Sequence, residues 1–339
     1  MPPVANRPIR VGVLSLAHHH AESYLATLRQ MPDVELVGLW DEDEVRGTAA
    51  ADQAEVQWFA SEAALLGSGV DGAIVTSVNS EHRRLVELAA ASGAHVLCEK
   101  PLATRVVDGE AMIAACDAAG VRLMICFPMR WSPVIRALRA SIDDGSIGQL
   151  AFLEGVNTGE VPDAHRAWFV DPLLAGGGAV TDHVVHLADL YRWLLGSEVV
   201  EVFAVANRIL HGRLAAVETG ALVSLRFADG VLATIDCSWS KPPSYPTWGG
   251  LAIEAVGTTG AVTADAFAQH LTLYKGGDRV DWPFWGSDPN RAMLTEFVAA
   301  CRDQREAAVT GLDGLRALEI VDAAYRSIVS GEPIRLERP

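Results

Sequence analysis

Basic residues are scarce in this chain: 27 lysines and arginines face 43 aspartates and glutamates over 339 residues, a formal charge of −16. Nucleic acids and anionic membrane surfaces are met with basic patches, so neither is an expected partner. Cysteine is sparse as well. Cys98, Cys116, Cys126, Cys237 and Cys301 are odd in number and scattered, with no Cys-x-x-Cys pair. That argues against a disulfide framework or a zinc motif and for reduced thiols in the cytoplasm. No apolar run reaches the length of a transmembrane helix. The opening MPPVANRPIRVGVLSLAHHH has neither the apolar core nor the cleavage site of a secretory signal. Internal repeats and low-complexity segments are also missing.

What is present is globular. Half of the residues are hydrophobic and 21% are charged. The length exceeds one ordinary core, so two domains are expected. In the first, apolar runs alternate with helical patterns: strand Ile9–Leu16, helix Ala21–Gln30, strand Val34–Trp40, strand Gly72–Ser77, helix Glu81–Ser92, strand Ala94–Cys98, helix Asp108–Ala119 and strand Val121–Phe127. Such alternation predicts a doubly wound α/β domain with a parallel sheet. After Pro128 the character changes. A helix opens at Ser132-Pro133, and extended runs then crowd together at Leu150–Val156, Val199–Ala206, Ala221–Phe227, Val231–Trp239 and Leu251–Val256. Ala228-Asp229-Gly230 is a hairpin signal between two of them. This half reads as α+β with a mostly antiparallel sheet, closed by helices at 290–303 and 311–330.

Parallel sheets bind ligands beyond the carboxyl ends of their strands. At the first such end a dinucleotide fingerprint would place Gly-x-Gly-x-x-Gly, and here Ser15, Ala17 and His20 occupy the glycine positions. Small Ser and Ala leave room for a pyrophosphate; His20 is the departure. Consecutive histidines diverge, so no metal is expected at His18-His19-His20. Asp41 ends the second strand, where a carboxylate hydrogen-bonds a ribose hydroxyl and repels a 2′-phosphate, which favours NAD over NADP. Asn79 can cap the helix after the third apolar run, and His82 reads equally as structural or as lining the cofactor site. Lys100 of Glu99-Lys100-Pro101 stands at another strand end, where its charge can orient a substrate hydroxyl and lower its pKa.

In the second half, Gly176-Gly177-Gly178 runs into a helix carrying Asp182, His186 and Asp189 at i, i+4 and i+7. The glycines permit a tight turn and close approach to a ligand. The spacing stacks the polar groups on one face, where a carboxylate one turn before a histidine can orient a general base. His165, Arg166, Trp168 and Trp239 are pocket candidates for stacking and hydroxyl contacts.

Together these stretches resemble the glucose-fructose oxidoreductase / inositol dehydrogenase / MocA (Gfo/Idh/MocA) family of nicotinamide-dependent enzymes. The similarity covers essentially the whole chain. It is carried by VDGAIVTSVNSEHRRLVELAAASGAHVLCEKPLA, FPMRWSP, AWFVDPLLAGGGAVTDHVVHLADLYRWLLG and GLDGLRALEIVDAAYRSIVSGEPIRL. It implies a Rossmann NAD(P)-binding domain over residues 1–127 and an α+β substrate-binding and oligomerisation domain over 128–339. It also implies Lys100, Asp182 and His186 as the catalytic group. The cofactor would lie on Ser15, Leu16, Ala17, His18, His19, Asp41, Ser77, Asn79, His82, Glu99 and Lys100. The substrate would meet Lys100, Arg130, Trp168, Asp182, His183 and His186. Two departures stand out: the SLAHHHA loop, and Val184 where the family usually has glycine two residues after the aspartate, preceded here by His183.

The expected function is NAD(H)-dependent hydride transfer at a secondary hydroxyl or carbonyl of a sugar, cyclitol or related polyol. The expected assembly is a homodimer or homotetramer formed through the open face of the second sheet. Two alternatives stay open. One is an NAD-retaining glycoside-cleaving enzyme working by oxidation, elimination and reduction; the other is a non-catalytic sensor of the same fold.

Overall fold

The computed structural model describes residues 7–162, 166–247, 249–274 and 280–337. The chain divides into two compact units.

The first unit is built on a parallel sheet of β1 (Ile9–Leu14), β2 (Val34–Trp40), β3 (Gln57–Trp58), β4 (Gly72–Val75), β5 (His95–Cys98) and β6 (Leu123–Ile125), ordered β3-β2-β1-β4-β5-β6. Helices α1 (His20–Leu28), α2 (Glu44–Ala54), α3 (Glu62–Gly67), α4 (His82–Ala91) and α5 (Val106–Ala119) make the crossovers. Every residue of β4 and β5 is buried, as a sheet covered on both faces requires. The acidic run after β2 is a helix start: Asp43 caps α2 by accepting from the amides of Val45 and Arg46. The order reverses between β1 and β4, so the crevice at their carboxyl ends is the dinucleotide position of this fold.

The second unit holds α6 (Pro133–Asp143), a short turn α7 (Pro172–Ala175) at its border, and α8 (Val185–Leu195). Its seven-stranded sheet runs β12-β11-β7-β10-β9-β8-β15. The strands are β7 (Leu150–Gly159), β8 (Val199–Asn207), β9 (Gly220–Phe227), β10 (Leu232–Ser238), β11 (Gly249–Gly257), β12 (Ala261–Asp265) and, after a small ribbon of β13 (Leu273–Tyr274) and β14 (Val280–Asp281), β15 (Ile334–Arg335). Only β7 with β10 is parallel; the other pairs are antiparallel. Alternation along β9 and β10 buries Val223, Leu225, Ala233 and Ile235 on one face and exposes Leu222 and Leu232 on the other. On the buried face α8 crosses at Gly155, where any Cβ would collide with the Tyr191 hydroxyl, itself donating to the Thr234 carbonyl at 2.9 Å.

The last two helices are α9 (Pro289–Asp303) and α10 (Gly311–Ser330). Asn290–Leu315 and Leu174–Gly176 belong to the first unit, so the boundary expected at 127/128 is crossed again late in the chain. The reason is packing. Phe297 lies over Gly72, whose added Cβ would meet it at 2.9 Å, and Arg302 pairs with Asp33 at 3.0 Å. No helix among the described residues is long and apolar enough to cross a membrane.

Candidate active site

In the first unit, the loop after β1 keeps a glycine turn without the glycine. Ser15 takes a left-handed backbone at φ 72°, and its Oγ accepts from the Ala17 amide at 3.1 Å. That local bond offsets part of the strain a Cβ brings to this conformation. The turn of a dinucleotide loop is therefore present. Leu16 and Ala17 are buried, and their amides face protein rather than the crevice: Leu16 N donates to Asp41 Oδ2 at 2.6 Å.

Asp41 was expected to meet a ribose. Its carboxylate instead receives four donors: the amides of Leu16 and Asp43 and the Nε and Nη2 of Arg46, at 2.6, 2.7, 3.1 and 2.7 Å. Four bonds fill a carboxylate, so a ribose contact requires Arg46 to give way. Burial pushes the Asp41 carboxyl up from its usual value, while Arg46 and the Asp43 amide pull the other way.

The three histidines bring their ligand atoms within 4.8 Å of one another, yet His18 is poorly placed for a metal. Its Nδ1 accepts from the His20 amide at 3.2 Å, so its Nε2 carries the proton and turns toward Glu99 Oε2 at 4.0 Å. Burial holds the His18 ring well below the usual imidazole range, hence neutral. Glu99 is buried at the end of β5 and accepts from Tyr24 Oη at 2.7 Å, His20 Nδ1 at 2.9 Å and the Lys100 amide at 3.1 Å. Burial alone would raise its carboxyl; the hydrogen bond from His20 and the Lys100 ammonium beside it act against that and hold it below the usual carboxylate range. Lys100 follows directly, 3% exposed.

Of the loop after β4, Ser77 is buried with its Oγ on the Val78 carbonyl, and Asn79 Nδ2 donates to the Ala175 carbonyl at 2.8 Å. The Asn79 bond is not the helix cap expected for it. His82 resolves toward structure: it is fully buried, and its Nδ1 donates to the Pro101 carbonyl at 2.9 Å. It pins the segment that follows Lys100.

Gly177 and Gly178, at the start of the second unit's next stretch, are closely packed by protein groups. A Cβ at Gly177 would collide with the Tyr325 hydroxyl and one at Gly178 with the Glu218 carbonyl. Glu218 Oε1 accepts from the amides of Gly178 and Val180 at 3.0 and 2.9 Å and from Tyr325 Oη at 2.8 Å. Tyr325 also bonds Thr181 Oγ1 at 2.9 Å. Burial pushes the Glu218 carboxyl up and the Tyr325 hydroxyl well up. A carboxylate at a helix start satisfies orphan amides and favours the helix dipole. Neither residue was singled out from sequence.

The turn Val180–Val184 winds as a π-turn before α8, so Asp182, His186 and Asp189 do not share a plain α-helical stripe. Asp182 and His186 are each 9% exposed, whereas His183 is wholly buried. Trp239 Nε1 donates to Asp182 Oδ2 at 3.2 Å, and His183 Nε2 lies 3.7 Å from the same oxygen. Trp239 and His183, both expected at the substrate, thus lie against Asp182. Asp189 is buried in a two-bond pair with Arg130, at 2.8 and 2.5 Å, which commits that guanidinium to the protein core. Trp168 is buried with its ring stacked on Phe169 at 3.9 Å. Arg166 is partly exposed, and His165 lies outside the described residues.

A doubly wound dinucleotide unit, followed by a unit that buries a carboxylate and an imidazole beside a large sheet, is the architecture of a two-unit NAD(P)-dependent dehydrogenase. Comparison with known proteins agrees. Residues 9–127 match the model of the oxidoreductase family with NAD-binding Rossmann fold, and residues 135–263 match the GFO/IDH/MocA C-terminal domain. An inositol 2-dehydrogenase of Rhizobium meliloti is 30% identical over 79% of this chain and 81% of its own. A D-apiose dehydrogenase of Paraburkholderia graminis is 29% identical over 97% of this chain and 88% of its own. The crystal structure of GenD2 from gentamicin A biosynthesis, in complex with NAD, superposes with a TM-score of 0.89 at 25% identity over 98% of both chains. The chain belongs to the Gfo/Idh/MocA family of oxidoreductases.

Proposed function

We propose that this enzyme transfers hydride between NAD(H) and a secondary hydroxyl of a sugar, cyclitol or related polyol. The observation that carries the reading is the pair Asp182 and His186. Both are nine-tenths buried yet keep a small exposed surface, as groups that meet a substrate must. His186 takes the hydroxyl proton during oxidation, and Lys100 holds that hydroxyl and stabilises the negative charge that develops on it. Asp182, fixed by Trp239, orients the base. The bound nicotinamide supplies the hydride acceptor; the protein's part is positioning and proton handling. The names of the relatives, inositol and D-apiose dehydrogenases, support the substrate class.

NAD in preference to NADP rests on the acidic end of β2, where Asp41, Glu42, Asp43 and Glu44 outnumber Arg46 and disfavour a 2′-phosphate. Assembly into dimers or tetramers rests on the apolar residues exposed along the open sheet face, among them Phe152, Val205, Leu222 and Leu232.

The test is a panel of pentoses, hexoses and inositols with NAD and NADP, read by formation of the reduced nicotinamide. Lys100→Ala and His186→Ala are expected to cut turnover by roughly 100-fold or more while still binding NADH. Full activity in either variant refutes the assignment. Cleavage of a glycoside without accumulation of NADH would move the reaction to oxidation, elimination and reduction on a retained cofactor.

A further inference from the structure

The loop between β1 and α1 carries the furthest step. A glycine-rich loop grips a pyrophosphate with its own backbone amides at the start of the next helix. Here five of the loop's amides are engaged within the protein. Leu16 N is on Asp41 Oδ2 at 2.6 Å, Ala17 N on Ser15 Oγ at 3.1 Å and His18 N on the Thr76 carbonyl at 2.9 Å. His20 N is on His18 Nδ1 at 3.2 Å and Ala21 N on the His18 carbonyl at 3.1 Å. A phosphate that used this cradle would have to break bonds the loop has already made.

The same stretch presents imidazoles. The rings of His19 and His20 lie edge to face with centroids 4.4 Å apart, and both residues are partly exposed, unlike His18. The His20 ring is also held in place, with Nδ1 2.9 Å from Glu99 Oε1 and the ring against Tyr24 at 5.8 Å. Because Glu99 is a carboxylate, Nδ1 donates to it. An anion can then be met by an N–H at the opposite ring nitrogen, which points away from Glu99. An ordered imidazole with a buried counter-carboxylate is a phosphate contact of the charge-assisted kind.

We propose that the pyrophosphate of the dinucleotide is held by the side chains of His19 and His20 and not by the loop amides. The proposal rests on the nicotinamide-cofactor reading given above. The charged and titratable groups that face these rings are Glu99 and Lys100 from the end of β5, Tyr24 from α1 and neutral His18.

Binding of NADH and of ADP-ribose, which shares the pyrophosphate but lacks nicotinamide, is measured by calorimetry. His19→Ala and His20→Ala are expected to weaken both ligands about tenfold or more by similar factors. His20→Gly restores the third glycine of the fingerprint. If it binds NADH as tightly as wild type or tighter, the amides do the work and the proposal falls. His19→Gln keeps a donor of similar reach, is expected to lose less than His19→Ala, and serves where a His20 variant does not fold. Wild-type protein that binds neither NADH nor NADPH would overturn the cofactor reading itself. Binding that is unchanged in all variants would overturn only the imidazole contact.

Discussion

Acid should destabilise the first unit well before its carboxylates titrate, because burial depresses three histidines there. His18, His82 and His95 all sit below the ordinary imidazole value, burial being the largest cause in each. The geometry explains two of them directly. His18 Nδ1 accepts from the His20 amide and His95 Nδ1 from the Arg122 amide at 3.0 Å, so a proton on either nitrogen breaks a hydrogen bond. For a group whose folded pKa is depressed, the unfolded chain binds the proton first, and stability is lost as pH falls below the unfolded pKa of about 6.5. Between pH 7.5 and 5.5 a ring that stays neutral in the folded state removes about 1.4 kcal/mol, so three set an upper limit of about 4 kcal/mol, a large share of a total of roughly 5–15. Glu99, held low, gives no change in this window. Asp41 and Glu218, held high, take up protons earlier in the folded state and oppose the loss toward the acid end. The assay is urea unfolding of the apo protein across this range, with hydrogen exchange of peptides from the first unit as the local probe. His95→Gln should lower the slope by one proton. Equal stability at pH 5.5 and 7.5 would refute the claim that these rings are buried neutral.

Two further outcomes follow from geometry. Arg130→Leu leaves Asp189 as an uncompensated buried charge and should cost about 3–5 kcal/mol in chemical denaturation, most of it regained in the double variant with Asp189→Leu; a loss under 1 kcal/mol would deny that the pair is buried. At Ser15, glycine relieves left-handed strain but loses the bond to the Ala17 amide, so Ser15→Gly should change stability by less than about 1 kcal/mol. Ser15→Ala loses only the bond and Ser15→Val adds crowding, giving the order Gly, Ala, Val in thermal melts; alanine as stable as glycine would refute it.

The elements that speak in sequence are those with strong period and clear ends. Val34–Trp40 and Gly311–Ser330 have the predicted bounds, and Ala228-Asp229-Gly230 turns a hairpin with Gly230 at φ 91°. Helix α2 is silent in sequence because EVRGTAAADQA carries little apolar stripe and its cap lies inside an acidic run that reads as a solvated turn. The π-turn has no sequence period to betray it. The candidate site divides the same way. Lys100 and Asp182–His186 are local motifs, whereas Glu218 and Tyr325 reach Gly178 from 40 and 147 residues away, through contacts no window can contain. The glycine triplet was legible as a turn but not as a seat for those two side chains. Ser15 was legible as standing at the first glycine position of the fingerprint, but its left-handed backbone was not, since serine rarely adopts one.

The late return of Asn290–Leu315 to the first unit has a consequence for synthesis. A ribosome that has released residues 1–127 has made the parallel strands but not Phe297, which covers Gly72, nor Arg302, which closes on Asp33. The nucleotide unit therefore gains its contacts to Phe297 and Arg302 only when nearly the whole chain has been made.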